Sequence, residues 1–368
     1  MFVRQDPGPP PPAGPSGRPP YLGPIRRVHV LGHPSRALDR TAFPADAQVL
    51  NCHNFCTLLD RAGIPFVYYG LRGSRVPGGG ELADLGAPTG PWEYGNPWHR
   101  EYTRRLDAAL ARNLSGTGRT PQLLVSLYGC AQMDLEAPDR FDLPVVEAMV
   151  GYDHCWAPFR VFPSYAHQHA IYASGADHVR RNVWFDAVIP HFLDPREFWI
   201  TPPEAKADYV LYLGRNTADK GVPLAEDVCR RAGLPLRKIH DGVSGEAKTR
   251  LISRARALIA PTLYVEPFGY VAVEAQMCGV PVVCTDWGAF VETVEQGVSG
   301  FRCRTGAEFL AALRRVEDLN PETIRNRALQ LYSIDSVLPA YCAYFDTVWE
   351  VHENGFYAER ALRLPFRG

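Results

Sequence analysis

The sixteen residues Tyr264–Gly279 restrict this chain more than any other segment. They hold two carboxylates, Glu266 and Glu274, placed around an expected helix start. Arg256 to Thr262 comes just before and reads as a strand. Pro267 suits a first helical turn, where a missing N–H costs nothing. Gly269 lets a ligand approach the backbone closely. The N–H groups near Phe268, Gly269 and Tyr270 are then expected to face outward, where an anion such as a phosphate sits well. Glu266 falls in the loop and Glu274 on the helix, more than a turn in. One can face the group beyond the phosphate and the other a hydroxyl-bearing group behind it. Strand, loop, helix, phosphate and polyol together describe a nucleotide-sugar site.

A glutamate near a helix start is also simply a favourable charge on the helix dipole. The flanking residues favour the site. Val280 to Val283 reads as a second buried strand, and Cys284-Thr285-Asp286-Trp287-Gly288 as the polar loop that ends it. Ligands of parallel α/β sheets bind at such strand ends.

The rest of the chain fits two α/β domains, as its 368 residues suggest. Ile25 to Pro34 reads as a first strand and its loop, Asp46 to Ala62 as a helix, and Phe66 to Tyr69 as a strand. Residues 71–97 are rich in Gly and Pro and read as a surface loop. His99 to Leu114 reads as a helix with a solvated arginine-bearing face. Gln122 to Leu127 is another strand, Leu143 to Met149 a buried apolar run, and Val183 to Pro190 the last strand of the first domain. From Asp208 to about Arg327 strand and helix alternate, which implies a parallel sheet covered on both faces. The expected divisions are a Pro/Gly-rich arm at 1–24, a Rossmann-like acceptor-binding domain at 25–200, a Rossmann-like donor-binding domain at 201–335, and a terminal helix with its tail at 336–368.

Composition excludes several classes. The formal net charge is −1 with no long basic run, which argues against a nucleic-acid partner. No apolar run reaches the ~18–20 residues of a membrane span. The N-terminus is Pro-rich rather than basic and then apolar, so no signal peptide is expected. The nine cysteines are scattered and read as reduced thiols of a cytoplasmic protein. Cys52 and Cys56 lie one helical turn apart and read as packing residues rather than metal ligands. Nine prolines and four glycines in residues 7–24 describe an extended arm. Such an arm can cover a partner subunit, and a homodimer is compatible with it. Four lysines stand against 35 arginines, a bias that fits a GC-rich coding sequence.

The segment Glu266 to Glu274, with Cys278 to Val283 and Gly297 to Phe301, resembles the retaining glycosyltransferases of family 4, which have the GT-B fold and a Glu-x7-Glu motif. Tyr212-Leu213-Gly214-Arg215 and Lys220-Gly221 are similar to that family's diphosphate-binding segment, and Val188 to Pro195 to its interdomain connector. The ordered matches run over roughly residues 186 to 345. Before them the likeness is weaker, at His29 to Pro34 and Pro163 to His167. The resemblance implies two Rossmann-like domains facing a cleft, with the terminal helix crossing back onto the first. It also implies transfer of a sugar, with retention, from a nucleoside-diphosphate sugar to a small hydroxylated acceptor, such as those of natural-product biosynthesis. The nucleotide sugar is a co-substrate, and neither a cofactor nor a metal is expected. Arg215 and Lys220 would stabilise the departing diphosphate. Glu266 would contact the donor sugar, Glu274 the ribose, and Pro267, Phe268, Gly269 and Tyr270 complete the donor site. In the first domain His33, Gln132, Tyr165, His167 and His169 are the acceptor candidates, with Ser164 and Gln168 on the same wall. His167 joins Arg215, Lys220 and Glu266 in the catalytic set.

Two departures stand out. Gly32-His33-Pro34-Ser35 lacks the double glycine of many members. The span from Lys238 to Arg254 is short, so the base site is rebuilt or trimmed. Alternatives remain: a GT-B nucleotide-sugar epimerase, recognised by release of free nucleotide without acceptor, and a non-catalytic nucleotide-sugar-binding protein.

Overall fold

The computed structural model describes residues 21–44, 46–174, 185–240 and 243–355. Most of the Pro/Gly-rich arm lies outside them, as do Asp241 and Gly242 of the short span, Val183 and Trp184 of an expected strand, and the end of the expected terminal helix beyond Gly355. The chain falls into two compact units, one of Met1–Leu38, Phe55–Val146 and Leu338–Gly368, the other of Asp39–Asn54 and Glu147–Val337.

One sheet is built from β1 (Arg27–Leu31), β2 (Phe66–Gly70), β3 (Glu81–Asp84), β4 (Gln122–Ser126), β5 (Val145–Glu147), β6 (Phe159–Phe162) and β7 (Ala187–Val188), in the order β3-β2-β1-β4-β5-β6-β7. The pairings of β1 with β2 and β4, of β2 with β3 and of β6 with β7 are parallel. β3 lies inside the segment read as a loop. It is an edge strand with mostly exposed side chains, so it lacks the apolar run that announces a buried strand. β6, an interior strand with mostly buried side chains, has no counterpart among the expected strands.

The second sheet has β8 (Val210–Leu213), β9 (Leu236–Ile239), β10 (Ala257–Ala260), β11 (Val282–Thr285) and β12 (Gly300–Cys303), in the order β12-β11-β10-β8-β9. All four of its pairings are parallel. Alternation along each strand divides the core. Leu211, Leu258, Ala260, Val282 and Cys284 face one cluster, with Phe268, Ala272, Val273 and Met277. Val210, Tyr212, Ala257, Ile259 and Val283 face the other, with Val228, Phe301, Phe309 and Leu313. A sheet covered on both faces needs apolar residues at every position, which is why these strands read as continuous runs.

The terminal helix is Ile334–Asn354, with Pro339 in its first part. Its Tyr341 and Phe345 pack edge-on against Phe55, with ring centroids 5.5 and 6.4 Å away. No helix among the described residues is long and apolar enough to cross a membrane. All nine cysteines are described, and none is in a disulfide.

The first sheet also buries a histidine. His29 on β1 is fully buried, with Nδ1 2.7 Å from the Tyr69 hydroxyl and Nε2 2.8 Å from Gln122 Oε1. Burial pushes its pKa down to about 4, although the Gln122 contact pulls the other way. The unfolded chain then binds the proton more readily than the native one. Stability from this group is full above pH ~6.5 and falls as the pH drops toward ~4, by up to about 1.4 kcal/mol per unit. Denaturant unfolding between pH 7 and 4.5 should therefore show a steeper acid loss in the native chain than in His29→Gln; equal slopes would contradict it.

Candidate active site at the ends of β8 and β10

The order β12-β11-β10-β8-β9 reverses direction between β8 and β10, which are neighbours through Val210↔Ala257 and Leu211↔Leu258. Successive crossovers leave this switch point to opposite sides, so the loops after the two strands open a crevice. The loop after β8 carries Arg215 and Lys220, and the loop after β10 carries Glu266. A cleft of about 690 Å³ lies there, lined among others by Arg215, Lys220, Tyr264, Glu266, Tyr270 and Glu274. Of the expected donor residues, all eight line it, including Pro267, Phe268 and Gly269.

The helix begins later than Pro267 suggests. It spans Tyr270–Met277, and Gly269 is its N-cap in the left-handed region at φ 82°. A Cβ on Gly269 would lie 2.6 Å from Phe290, so a packed ring fills the space where a side chain would start. The Phe268 side chain is likewise a core residue. Glu274 sits on the helix, more than a turn in, as expected.

Both glutamates meet lysines. Lys220 Nζ lies 2.7 Å from Glu266 Oε2, which also accepts from the Tyr264 hydroxyl at 3.1 Å. The Lys220 ammonium stands 4.7 Å from the Tyr264 ring centre. Burial opposes the charge on Lys220, but attraction and hydrogen bonding to Glu266 outweigh it and hold the pKa above its ordinary value. Lys248 Nζ lies 2.6 Å from Glu274 Oε1. Glu274 Oε2 is buried and has no hydrogen-bond partner among the described residues. Arg215 is more open, with its side chain 66% exposed and 3.6 Å from Asp219.

The loop of Glu266 is held from several sides. The Ala289 N–H donates to the Glu266 carbonyl at 2.9 Å. Ser164 Oγ donates to the Pro267 carbonyl at 2.7 Å and accepts from the His167 N–H at 3.1 Å. Glu292 takes the N–H groups of Tyr165 and Ala166, at 3.0 and 2.8 Å, at the start of the helix Tyr165–Ser174. Ser164 thus braces protein to protein, where the sequence suggested a wall of the acceptor site.

The acceptor candidates divide between the two units, His33 and Gln132 in one and Tyr165, His167 and His169 in the other. Gln132 is buried and its amide is engaged: its oxygen accepts from Ser126 Oγ, and its nitrogen donates to the Gly32 carbonyl and Tyr102 hydroxyl. It braces the loop after β1. His33 is buried beside Tyr128, with ring centres 4.0 Å apart. Its Nδ1 accepts from the Ser35 N–H at 2.9 Å, and burial pushes its pKa down to about 3, so its proton sits on Nε2. His167 is buried, and burial lowers its pKa against the pull of Tyr152, Asp153 and Glu266. Tyr165 and His169 are exposed and pair with each other, centroids 6.2 Å apart. Gln168 donates to Tyr172 at 3.3 Å.

Residues that the sequence did not single out also line the cleft. His191 stacks on Tyr270 at 5.1 Å and 3°, and the Tyr270 hydroxyl donates to Asn51 at 2.5 Å. Lys248 had one available signal: it is one of only four lysines in the chain.

With this geometry in hand, known proteins place the fold. Solved structures that resemble it include AviGT4, a glycosyltransferase involved in avilamycin A biosynthesis, at TM-score 0.62 and 17% identity over 88% of this chain and 98% of that one. Another is Anabaena HepE in complex with UDP and glucose, at TM-score 0.59 and 15% identity over 87% of this chain and 98% of that one. The fold is that of the GT-B glycosyltransferases. Residues 238–329 match the family model described as glycosyl transferases group 1. A glycogen synthase of Mycobacterium tuberculosis is 41% identical over 155 residues, 32% of this chain and 36% of that protein. An uncharacterized glycosyltransferase of Methanocaldococcus jannaschii is 36% identical over 76 residues, 20% of this chain and 19% of that protein. These matches therefore span about a third or less of the relatives' own length.

Gly288 controls the same GT-B loop. It sits at φ 58°, and a Cβ there would lie 2.6 Å from the Glu266 backbone nitrogen. Gly288→Ala should cost about 1–3 kcal/mol. Urea unfolding of the variant reads this directly, and an unchanged midpoint would show that the loop has slack.

Proposed function

We propose that this chain is a retaining glycosyltransferase. It moves a sugar from a nucleoside-diphosphate sugar to a small hydroxylated acceptor, of the kind met in natural-product biosynthesis. The observation that carries the reading is the cleft at the switch point, where Arg215, Lys220, the start of helix Tyr270–Met277, Glu266 and Glu274 face one space.

The diphosphate lies against Arg215, Lys220 and the helix start. Lys220 pairs with Glu266, and an arriving diphosphate competes for that ammonium. Glu266 is then released to accept hydrogen bonds from the donor sugar. Glu274 takes the ribose hydroxyls. The acceptor oxygen bonds to the anomeric carbon as the bond to the diphosphate oxygen breaks, and the departing phosphate takes the acceptor's proton. Fixed cations stabilise the growing phosphate charge more in the transition state than before it. They supply the positive charge that a metal brings elsewhere.

Arg215→Ala and Lys220→Ala should each lower kcat by roughly 10²–10³-fold, more than they raise KM. Near-wild-type turnover in both would remove the diphosphate assignment. An acceptor screen that yields only transfer to polymers or lipids would exclude a small acceptor.

Stereochemistry tests the mechanism separately. All the matched groups belong to the expected donor-binding domain, and the sequence offers no aspartate or glutamate at a matched motif position of the expected first domain that could serve as a base. The product should keep the donor's anomeric configuration, at an undiminished rate in excess EDTA. Proton NMR of the anomeric coupling decides the first point: an inverted product rules out the mechanism, and a rate restored only by added magnesium rules out metal independence.

A further inference from the structure

Beside the donor cleft is a second cavity of about 560 Å³, lined by Phe43, Trp199, Ser244 and the pair Arg40–Glu197. Lys248 and Glu274 line both spaces. The carboxylate of Glu274 therefore stands at their junction, although its side chain is only 5% exposed. One oxygen is held by Lys248 at 2.6 Å, and the other is buried without a partner among the described residues. An ionised carboxylate only accepts hydrogen bonds, and leaving a buried acceptor unmade is costly. The open oxygen calls for a ligand that brings O–H donors.

The choice of lysine matters. The chain uses 35 arginines and four lysines, yet Lys220 and Lys248 are the cations on the two cleft glutamates. Arginine grips both oxygens of a carboxylate in a fork, whereas lysine is a point charge. The contrast is built into the same cavity wall. Arg40 binds Glu197 with Nη1 on Oε1 at 2.6 Å and Nη2 on Oε2 at 2.8 Å, which occupies both oxygens. Lys248 binds one oxygen of Glu274 and leaves the other available.

We infer that Lys248 is a positioning residue that sets the pentose specificity of the site: by holding a single oxygen of Glu274 it leaves the other for the hydroxyls of a ribose, and so selects ribonucleoside diphosphates over their 2′-deoxy counterparts. A vicinal diol offers two donors to this carboxylate. A 2′-deoxyribose offers one and leaves the buried charge under-satisfied, a loss that polar sites discriminate strongly. The inference rests on the donor-site reading above.

Titration calorimetry on the full chain tests it, with ADP, GDP, UDP and CDP, and then with the 2′-deoxy form of whichever binds tightest. The wild type should prefer the ribo form by roughly 10–100-fold. In Lys248→Arg, which keeps the charge but fills both oxygens, that ratio should fall toward one, whereas Lys248→Met, which leaves both oxygens open, should keep the preference for the ribo form. In Lys248→Arg, KM for the donor should rise while kcat at saturating donor holds. A residue needed only for charge balance would be rescued by arginine. Retention of the wild-type ratio in Lys248→Arg, its loss in Lys248→Met, or a wild-type ratio near one, overturns the inference and leaves the donor site standing. Failure of the wild type to bind any of the four overturns the donor-site reading as well.

Discussion

The parallel pairing of β8 with β10 is the constraint on which the cleft depends. Strands adjacent in a sheet end side by side, so the loop bearing Lys220 and the loop bearing Glu266 must meet although 46 residues separate them. Two opposite charges brought together at the rim of an apolar core have little choice but to pair. Losing water costs each of them several kcal/mol, and the contact returns that only when the geometry is good. Here the Tyr264 hydroxyl adds a hydrogen bond and its ring lies near the ammonium. The cleft is thereby close to neutral at its base, with Arg215 left at the open rim. An anion entering it meets an exposed cation first and a fixed one second, an order that favours capture before tight positioning.

Much of the fold was legible in the sequence, as was the grouping of eight residues that line one cleft, for a physical reason. Strands such as Leu258–Ala260 and Val282–Cys284 are buried on both faces, so every residue is apolar and the run is conspicuous. Glycine and proline punctuate their ends, and Glu266 and Glu274 are anchored to that punctuation. The error at Pro267 was local: Gly269, by taking the left-handed cap, moved the helix start to Tyr270. What stayed hidden was either edge or partner. β3 has exposed side chains and no pattern to read. Lys248 lies on the helix Gly245–Arg254, and nothing in its immediate sequence says that it reaches a glutamate 26 residues on.

The acceptor candidates were harder because polar residues near strand ends serve two purposes alike. Gln132 and Ser164 read as groups that can meet a ligand, and both hydrogen-bond to the protein. A loop at the end of a buried strand carries backbone groups that must be satisfied, and a short polar side chain is the cheapest way to do it. The Gly32 carbonyl illustrates this, since it accepts from both Gln132 and Tyr102. Spacing alone cannot separate a brace from a ligand-binding group; only the partner can.

The bracing has its own consequence for the chemistry. Glu266 is held through its neighbours at three points: Gly288 packs on its backbone, the Ala289 N–H takes its carbonyl, and Ser164 fixes the carbonyl of Pro267. A carboxylate that is to act on a reacting sugar must be placed to within a fraction of an ångström. Here that placement comes from backbone contacts, while the carboxylate itself is held by the Lys220 ammonium and the Tyr264 hydroxyl. The structure thus separates position, which is fixed by packing, from charge, which is free to be redistributed. That division lets one glutamate be neutralised by its lysine while backbone contacts alone keep it in place.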